Sequence, residues 1–207
     1  IQGALMTTYH TAKTGNNTDG LTLATAKITI AGGIGLLASG DTLIIHAGTY
    51  AEQIVNSVPS GISAAQPTTL QAFSGDTVWL QPTSYPLAAN FVIYVGGTGR
   101  TDHDIVFDGL RLDNLNGAAA ITPSAQCMKI DAPDAPTDFY PHGIIFKNGE
   151  VIKGSMGFVI AGSFNQIVNC DIHNLILATN SVPVGTYGIY NQGSSNIIDG
   201  NRIYDYP

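Results

Sequence analysis

Charge is what this sequence has least of. Of 207 residues, 8 are Lys or Arg and 15 are Asp or Glu, so charged residues make up 11% of the chain. That is less than half of the usual share. The formal net charge is −7, and so few basic residues argue against a nucleic-acid partner, because phosphate binding needs a basic patch. Cysteine is scarce too. Cys127 and Cys170 are the only two, which is no disulfide framework. No apolar run approaches the ~18 residues of a membrane span. Ile1 to Met6 carries no basic n-region, so no signal peptide is visible.

What the chain has is apolar mass, glycine and β-forming residues. Hydrophobic residues make up 44% and there are 24 glycines; such a chain can bury a core, and disorder is not expected. Strand signals dominate. Thr42–His46, Thr69–Phe73, Thr77–Leu80, Phe91–Val95 and Ile105–Leu112 are short, rich in β-branched and aromatic residues, and separated by Gly, Pro, Asn, Asp and Ser. One stretch differs. From Lys27 to Ala38, Ile30, Gly33, Ile34 and Leu37 fall at the spacing of a helical face, which predicts a short helix weakened by its glycines.

A six-residue pattern recurs four times: apolar, any, Gly or Asn, any, any, apolar. The copies are Phe107–Leu112, Phe146–Val151, Ile167–Ile172 and Ile198–Ile203. The spacing varies, as it does in solenoids whose insertions go to loops. The physical reading is a tight corner between two strands. The flanking apolar residues point inward, and the Gly or Asn takes left-handed backbone angles. Stacked coils place these corners about 4.8 Å apart, and asparagines there are expected to hydrogen-bond along the stack. The same stacking puts Cys127 and Cys170 on different sides, unbonded.

The opening of the chain then resembles a known family. Tyr9–Gly20 looks like the first strand and loop of pectate-lyase-like proteins. Thr29–Leu37 looks like their capping helix, Gly40–Tyr50 (GDTLIIHAGTY) like their Gly-Asp-Thr strand, and Pro67–Val78 like the next coil. The resemblance implies an all-β fold, a right-handed parallel β-helix with a short N-terminal capping helix. It implies one domain over residues 1–207, with cap elements in 1–40 and coils in 41–207. The chain stops just after the fourth repeat with no C-terminal cap, which reads as the N-terminal portion of a longer solenoid or an end that something covers.

The family's substrate groove is floored by the strand that precedes each repeat, here Phe91–Val95, Cys127–Asp131, Phe158–Ala161 and Gly188–Gln192. Alternation sends Ile93, Met128, Ile130, Phe158, Ile160 and Ile189 inward. The outward column then reads Tyr94, Lys129, Val159, Tyr190, with Asp131, Ala161 and Gln192 in a second one. Lys129 is the candidate base or carboxylate binder. Tyr94, Tyr190, Asp131, Gln192 and Tyr140 are candidate substrate contacts. The plainer reading is a solvated lysine among tyrosines that suit β-structure. Asp131, Asp134 and Asp138 could offer oxygens to Ca²⁺, although their spacing matches no known calcium loop. No cofactor at all is the other reading.

Arg111, Glu150, Asp171 and Arg202 share the fifth position of the repeat and are expected to form a surface ion-pair ladder. The five histidines show no metal-ligand spacing; His103 and His142 hold comparable positions before their coils, which suggests a turn role. Two functions follow from the resemblance. One is a lyase acting on an acidic polysaccharide outside the cell or at its surface, with a hydrolase less favoured because no second carboxylate flanks the groove. The other is a non-catalytic β-helix: an adhesin, a phage tailspike segment or a surface module. Neither substrate identity nor oligomeric state is legible.

Overall fold

The corner residues set the geometry. Gly109, Asn148, Asn169 and Gly200, the third positions of the four repeats, have φ of 71°, 55°, 53° and 65°. All four are left-handed, the conformation that Gly and Asn enter at least cost. Each turns the chain sharply between two strands of a coil. The computed structural model describes residues 6–83, 91–115, 125–132, 140–176 and 186–205.

β1 (Thr8–Thr11) and a helix, α1 (Ile30–Ile34), lie on top. Below them run β2 (Thr42–Ile45), β3 (Gly48–Tyr50) and β4 (Ile54–Val55), then β5 (Thr68–Ala72), β6 (Val78–Leu80) and β7 (Phe91–Gly96). The next coil is β8 (His103–Asp108), β9 (Leu110–Asp113) and β10 (Gln126–Asp131). It is followed by β11 (His142–Lys147), β12 (Glu150–Ile152) and β13 (Met156–Ile160), and by β14 (Gln166–Val168), β15 (Asp171–His173) and β16 (Tyr187–Asn191). β17 (Ile197–Asp199) and β18 (Arg202–Tyr204) complete the described elements.

Each coil gives one strand to each of three parallel sheets. The first runs β1-β2-β5-β8-β11-β14-β17, the second β3-β6-β9-β12-β15-β18, and the third β4-β7-β10-β13-β16. The fold is a parallel β-helix. The run Ile105–Leu112, legible in sequence as one strand, is two, because Gly109 at its centre is the corner. No helix among the described residues is long and apolar enough to cross a membrane.

The repeat's apolar residues stack in register. Leu43, Leu70, Phe107, Phe146, Ile167 and Ile198 form one inward ladder. Tyr50, Leu80, Leu112, Val151, Ile172 and Ile203 form another. Within the stack these side chains are fully buried, each contributing about 1.5–3 kcal/mol. Ile198 and Ile203 are exposed, since no coil is described beneath them.

Two expectations are refined. The helix is five residues long, not the span Lys27–Ala38. Thr29 caps it by accepting from Gly32 N, and the Glu52 carboxylate accepts from Ile30 N and Ala31 N, but glycine supports no further turn. Asparagine hydrogen bonds along the stack occur at the repeat's corner, where Asn201 Oδ1 accepts from Cys170 N and its amide donates to Ile167 O, and also at the corner between the third and first sheets. Asn165 Oδ1 accepts from Ile144 N and its amide donates to Pro141 O; one coil down, Asn196 does the same for Asn165 N and Gly162 O. Residues there face inward onto backbone groups that would otherwise be orphaned, whereas the left-handed Asn148 donates to Asp108 at the surface. Cys127 and Cys170 are buried and free, one on β10 and the other between β14 and β15. The ion-pair ladder is present as expected, with Arg111 to Glu150 at 2.8 Å and Arg202 to Asp171 at 2.6 Å.

Candidate functional site

The third sheet presents the predicted columns. Tyr94 is the register partner of Lys129, Lys129 of Val159, and Val159 of Tyr190. Ile93, Met128, Ile130, Phe158 and Ile160 face inward and are fully buried, and Ile189 packs against the core. Asp131 pairs with Gly96 in the second outward column. Alternation along the strand therefore carries Lys129 and Asp131, two residues apart, to the same face.

On that face three side chains meet. Lys129 Nζ lies 3.0 Å from Asp131 Oδ2, and the Tyr94 hydroxyl donates to the same oxygen at 2.8 Å. Phe91 stacks on Tyr94 with ring centroids 5.0 Å apart. The ammonium sits over both rings, 5.7 Å from the centre of Phe91 and 5.9 Å from that of Tyr94, within cation–π range. Burial and then the bond to Asp131 push the Tyr94 phenol well above its ordinary range, with Arg100 opposing. Tyr94 is thus a proton donor here and not a base. The set offers a sugar an aromatic wall, a cation, a carboxylate and a hydroxyl.

Phe91, Arg100 and Asp102 were not singled out by sequence. Strand parity assigns Phe91 to the inward side, but at the entrance of β7 its ring stacks on Tyr94. Arg100 grips Asp102 with two bonds of 2.6 Å and also donates to Asn56 O at 3.3 Å. Beside them is a cavity of about 310 Å³ lined by Val58, Pro59, Ser60, Gly99, Arg100, Thr101 and Asp102. The signal was an Arg and an Asp two residues apart after a glycine-rich turn. No helix follows that turn, so it is not a phosphate loop.

The other predicted residues lie apart. Tyr190 and Gln192 are exposed two coils away, Gln192 donating to the Tyr190 hydroxyl at 3.3 Å. Tyr140 rests on His142 and His103, with centroids 4.7 Å and 6.2 Å away. Asp134 and Asp138 lie outside the described residues. Asp131, the calcium candidate among the described residues, has its Oδ2 against the Lys129 ammonium and the Tyr94 hydroxyl.

No protein-family model matches the sequence, and no curated protein matches it. Two solved structures share the fold. A rhamnogalacturonan lyase aligns over 96% of this chain and 51% of its own, with a TM-score of 0.60 and 18% identity. XylC, solved in complex with xylose, aligns over 96% of this chain and 62% of its own, with a TM-score of 0.54 and 12% identity. The chain thus spans about half the length of the first and less than two thirds of the second.

Proposed function

We propose that this chain is a polysaccharide-active β-helix that cleaves an acidic glycan by β-elimination on the outer face of β7, β10, β13 and β16. The observation that carries the reading is the convergence of Lys129 and Tyr94 on one oxygen of Asp131. The likeness to a rhamnogalacturonan lyase and to the xylose-bound XylC points to glycans as the substrate class. Polymers of that kind are met outside the cell or at its surface, so that location belongs to the same proposal.

β-Elimination needs a base for the proton α to a uronate carboxylate and a proton for the departing oxygen. Lys129, an ammonium in its pair with Asp131, first gives a proton to solvent, and the neutral amine then takes the proton from C5 of the uronate. The C5–H electrons form the C4=C5 bond as the C4–O bond breaks. The Tyr94 hydroxyl, held protonated by its surroundings, is placed to return a proton to the leaving oxygen. Asp131 orients both side chains. Phe91 and Tyr94 supply aromatic faces for the sugar ring, with Tyr190 and Gln192 further along the groove.

The Lys129–Asp131 pair also supports a second reading, a glycan-binding module without catalysis, because donors, acceptors and aromatic faces suffice for binding. One experiment separates the two. The protein is incubated with pectate, rhamnogalacturonan, alginate, glycosaminoglycans and xylan, with and without Ca²⁺, and the ultraviolet absorbance of the unsaturated product is followed. A rise that is lost in Lys129→Ala supports the lyase. No rise, with retention on an affinity gel that Lys129→Ala abolishes, leaves the binding module. Neither a rise nor retention rejects both.

A further inference from the structure

Away from the groove, at the corner where the third sheet passes into the first, two histidines 39 residues apart in sequence become neighbours. His103 and His142 are register partners on β8 and β11. Their rings stack at 5.4 Å, 14° from parallel. Asp104 follows His103 and places Oδ2 3.0 Å from its Nδ1. One ligand atom from each of the three residues lies within 4.8 Å of the other two. From this arrangement the geometry points to a divalent transition-metal site of the zinc type, with His103, Asp104 and His142 as its protein ligands.

The backbone is shaped to hold the carboxylate there. Asp104 has a left-handed φ of 52° and is nearly buried at 8% exposure, a conformation that residues with a Cβ seldom adopt. Opposite it, Gly143 has φ of 65°. A Cβ on Gly143 would stand 2.6 Å from Asp104 Oδ1, so glycine is the residue that leaves the carboxylate its room. A cavity of about 220 Å³ opens on the same spot, lined by Asp104, His142, Gly143 and Phe164 among others. Three protein ligands, two of which line that open space, match a tetrahedral site whose fourth position is water or an anionic oxygen.

The donor set selects the ion. Two imidazoles and one carboxylate suit Zn²⁺ and its transition-metal neighbours, whereas Ca²⁺ and Mg²⁺ take oxygen ligands. Ligand atoms on tetrahedral zinc stand about 3.3 Å apart, so the set draws in by side-chain rotation on binding. The bound ion would clip two successive coils together through their side chains.

The test uses the whole chain, treated with chelator and dialysed, then titrated with ZnCl₂ by calorimetry and with CoCl₂ by visible absorption. The expected result is one equivalent of Zn²⁺ per chain, an intense tetrahedral Co²⁺ spectrum and a raised melting temperature. His103→Gln and His142→Gln are each expected to weaken binding at least as much as the 10–100-fold that loss of an outer-shell partner costs. The wild-type titrations judge the site even if a variant folds poorly: no saturable binding of either ion overturns it. His10→Gln with His46→Gln is the control, because those rings also meet, at 3.2 Å. Binding abolished by that pair and retained in His103→Gln overturns the assignment as well.

Discussion

Lys129 and Asp131 stand two residues apart on β10, project from the same face and bring their charged atoms to 3.0 Å. Tyr94, the register partner of Lys129 on the neighbouring coil, reaches the same carboxylate oxygen. The set proposed for catalysis is thereby spread over only two strands. Its parts are held by the sheet itself and need no loop to position them.

Lys129→Ala is expected to lower the turnover of an acidic glycan by about 10²–10⁴-fold, the contribution of a positioned general base. Asp131→Asn keeps the shape but loses the charge that orients Lys129, and a loss of about 10²-fold, the low end of that range, is expected. The pair is partly exposed, at 24% and 18% for the two side chains, so neither change moves stability by more than about 1 kcal/mol. Product absorbance and urea denaturation on the same preparations check both statements. A large stability loss in either variant would make the pair structural.

Asn165 is fully buried and satisfies Ile144 N and Pro141 O from one side chain. Asn165→Ala orphans both groups, at about 1–3 kcal/mol for each unsatisfied partner. The urea midpoint should fall well below that of Asn196→Ala, whose site is only half-buried. Equal midpoints would mean that water replaces the amide at both positions.

Asn169 tests the corner. Its φ of 53° disfavours a Cβ without a local hydrogen-bonding group, so Asn169→Ala should cost about 1–2 kcal/mol. Asn169→Gly should stay within about 0.5 kcal/mol of wild type, as glycine enters this region freely. Thermal melts of the two variants give the comparison, and an alanine variant as stable as the glycine one would refute the backbone explanation.

His10 gives the stability a slope in pH. Burial, and then the neighbouring His46, hold its pKa below the ordinary 6.5. The unfolded chain therefore binds the proton more readily than the folded one. Stability from this group is present above 6.5 and declines as pH falls from there toward the lowered folded value. The 3.2 Å contact between the rings needs one nitrogen to donate and the other to accept, and it is lost when both are protonated. Urea midpoints measured in chelator across that window should fall for wild type and flatten for His10→Asn. An unchanged slope in the variant would assign the effect to other groups.

Much of this architecture was legible before any coordinates. The repeat named its own inward residues, since a side chain that alternates on a strand has only two faces to choose from. It also named its corners, because Gly and Asn are the residues that take a positive φ at least cost. Those two rules sufficed to put Tyr94, Lys129, Val159 and Tyr190 in one column, and Arg111, Glu150, Asp171 and Arg202 in another. They depend on local geometry, which the chain carries with it.

Tertiary structure decided what depends on distance between coils. Nothing local tells Lys129 to turn toward Asp131 and Tyr94. Phe91 stacks on Tyr94 against its strand parity. Asn165 and Asn196 form a ladder at a second corner, beside the repeat's own Asn201, because both corners leave backbone groups in need of partners. His103 and His142 meet across 39 residues because an insertion of any length can leave a coil and return while the hydrogen-bonded register below it stays unchanged. The sequence by itself determined the coil; the stacking of coils, which equalises unequal loops, determined which side chains meet.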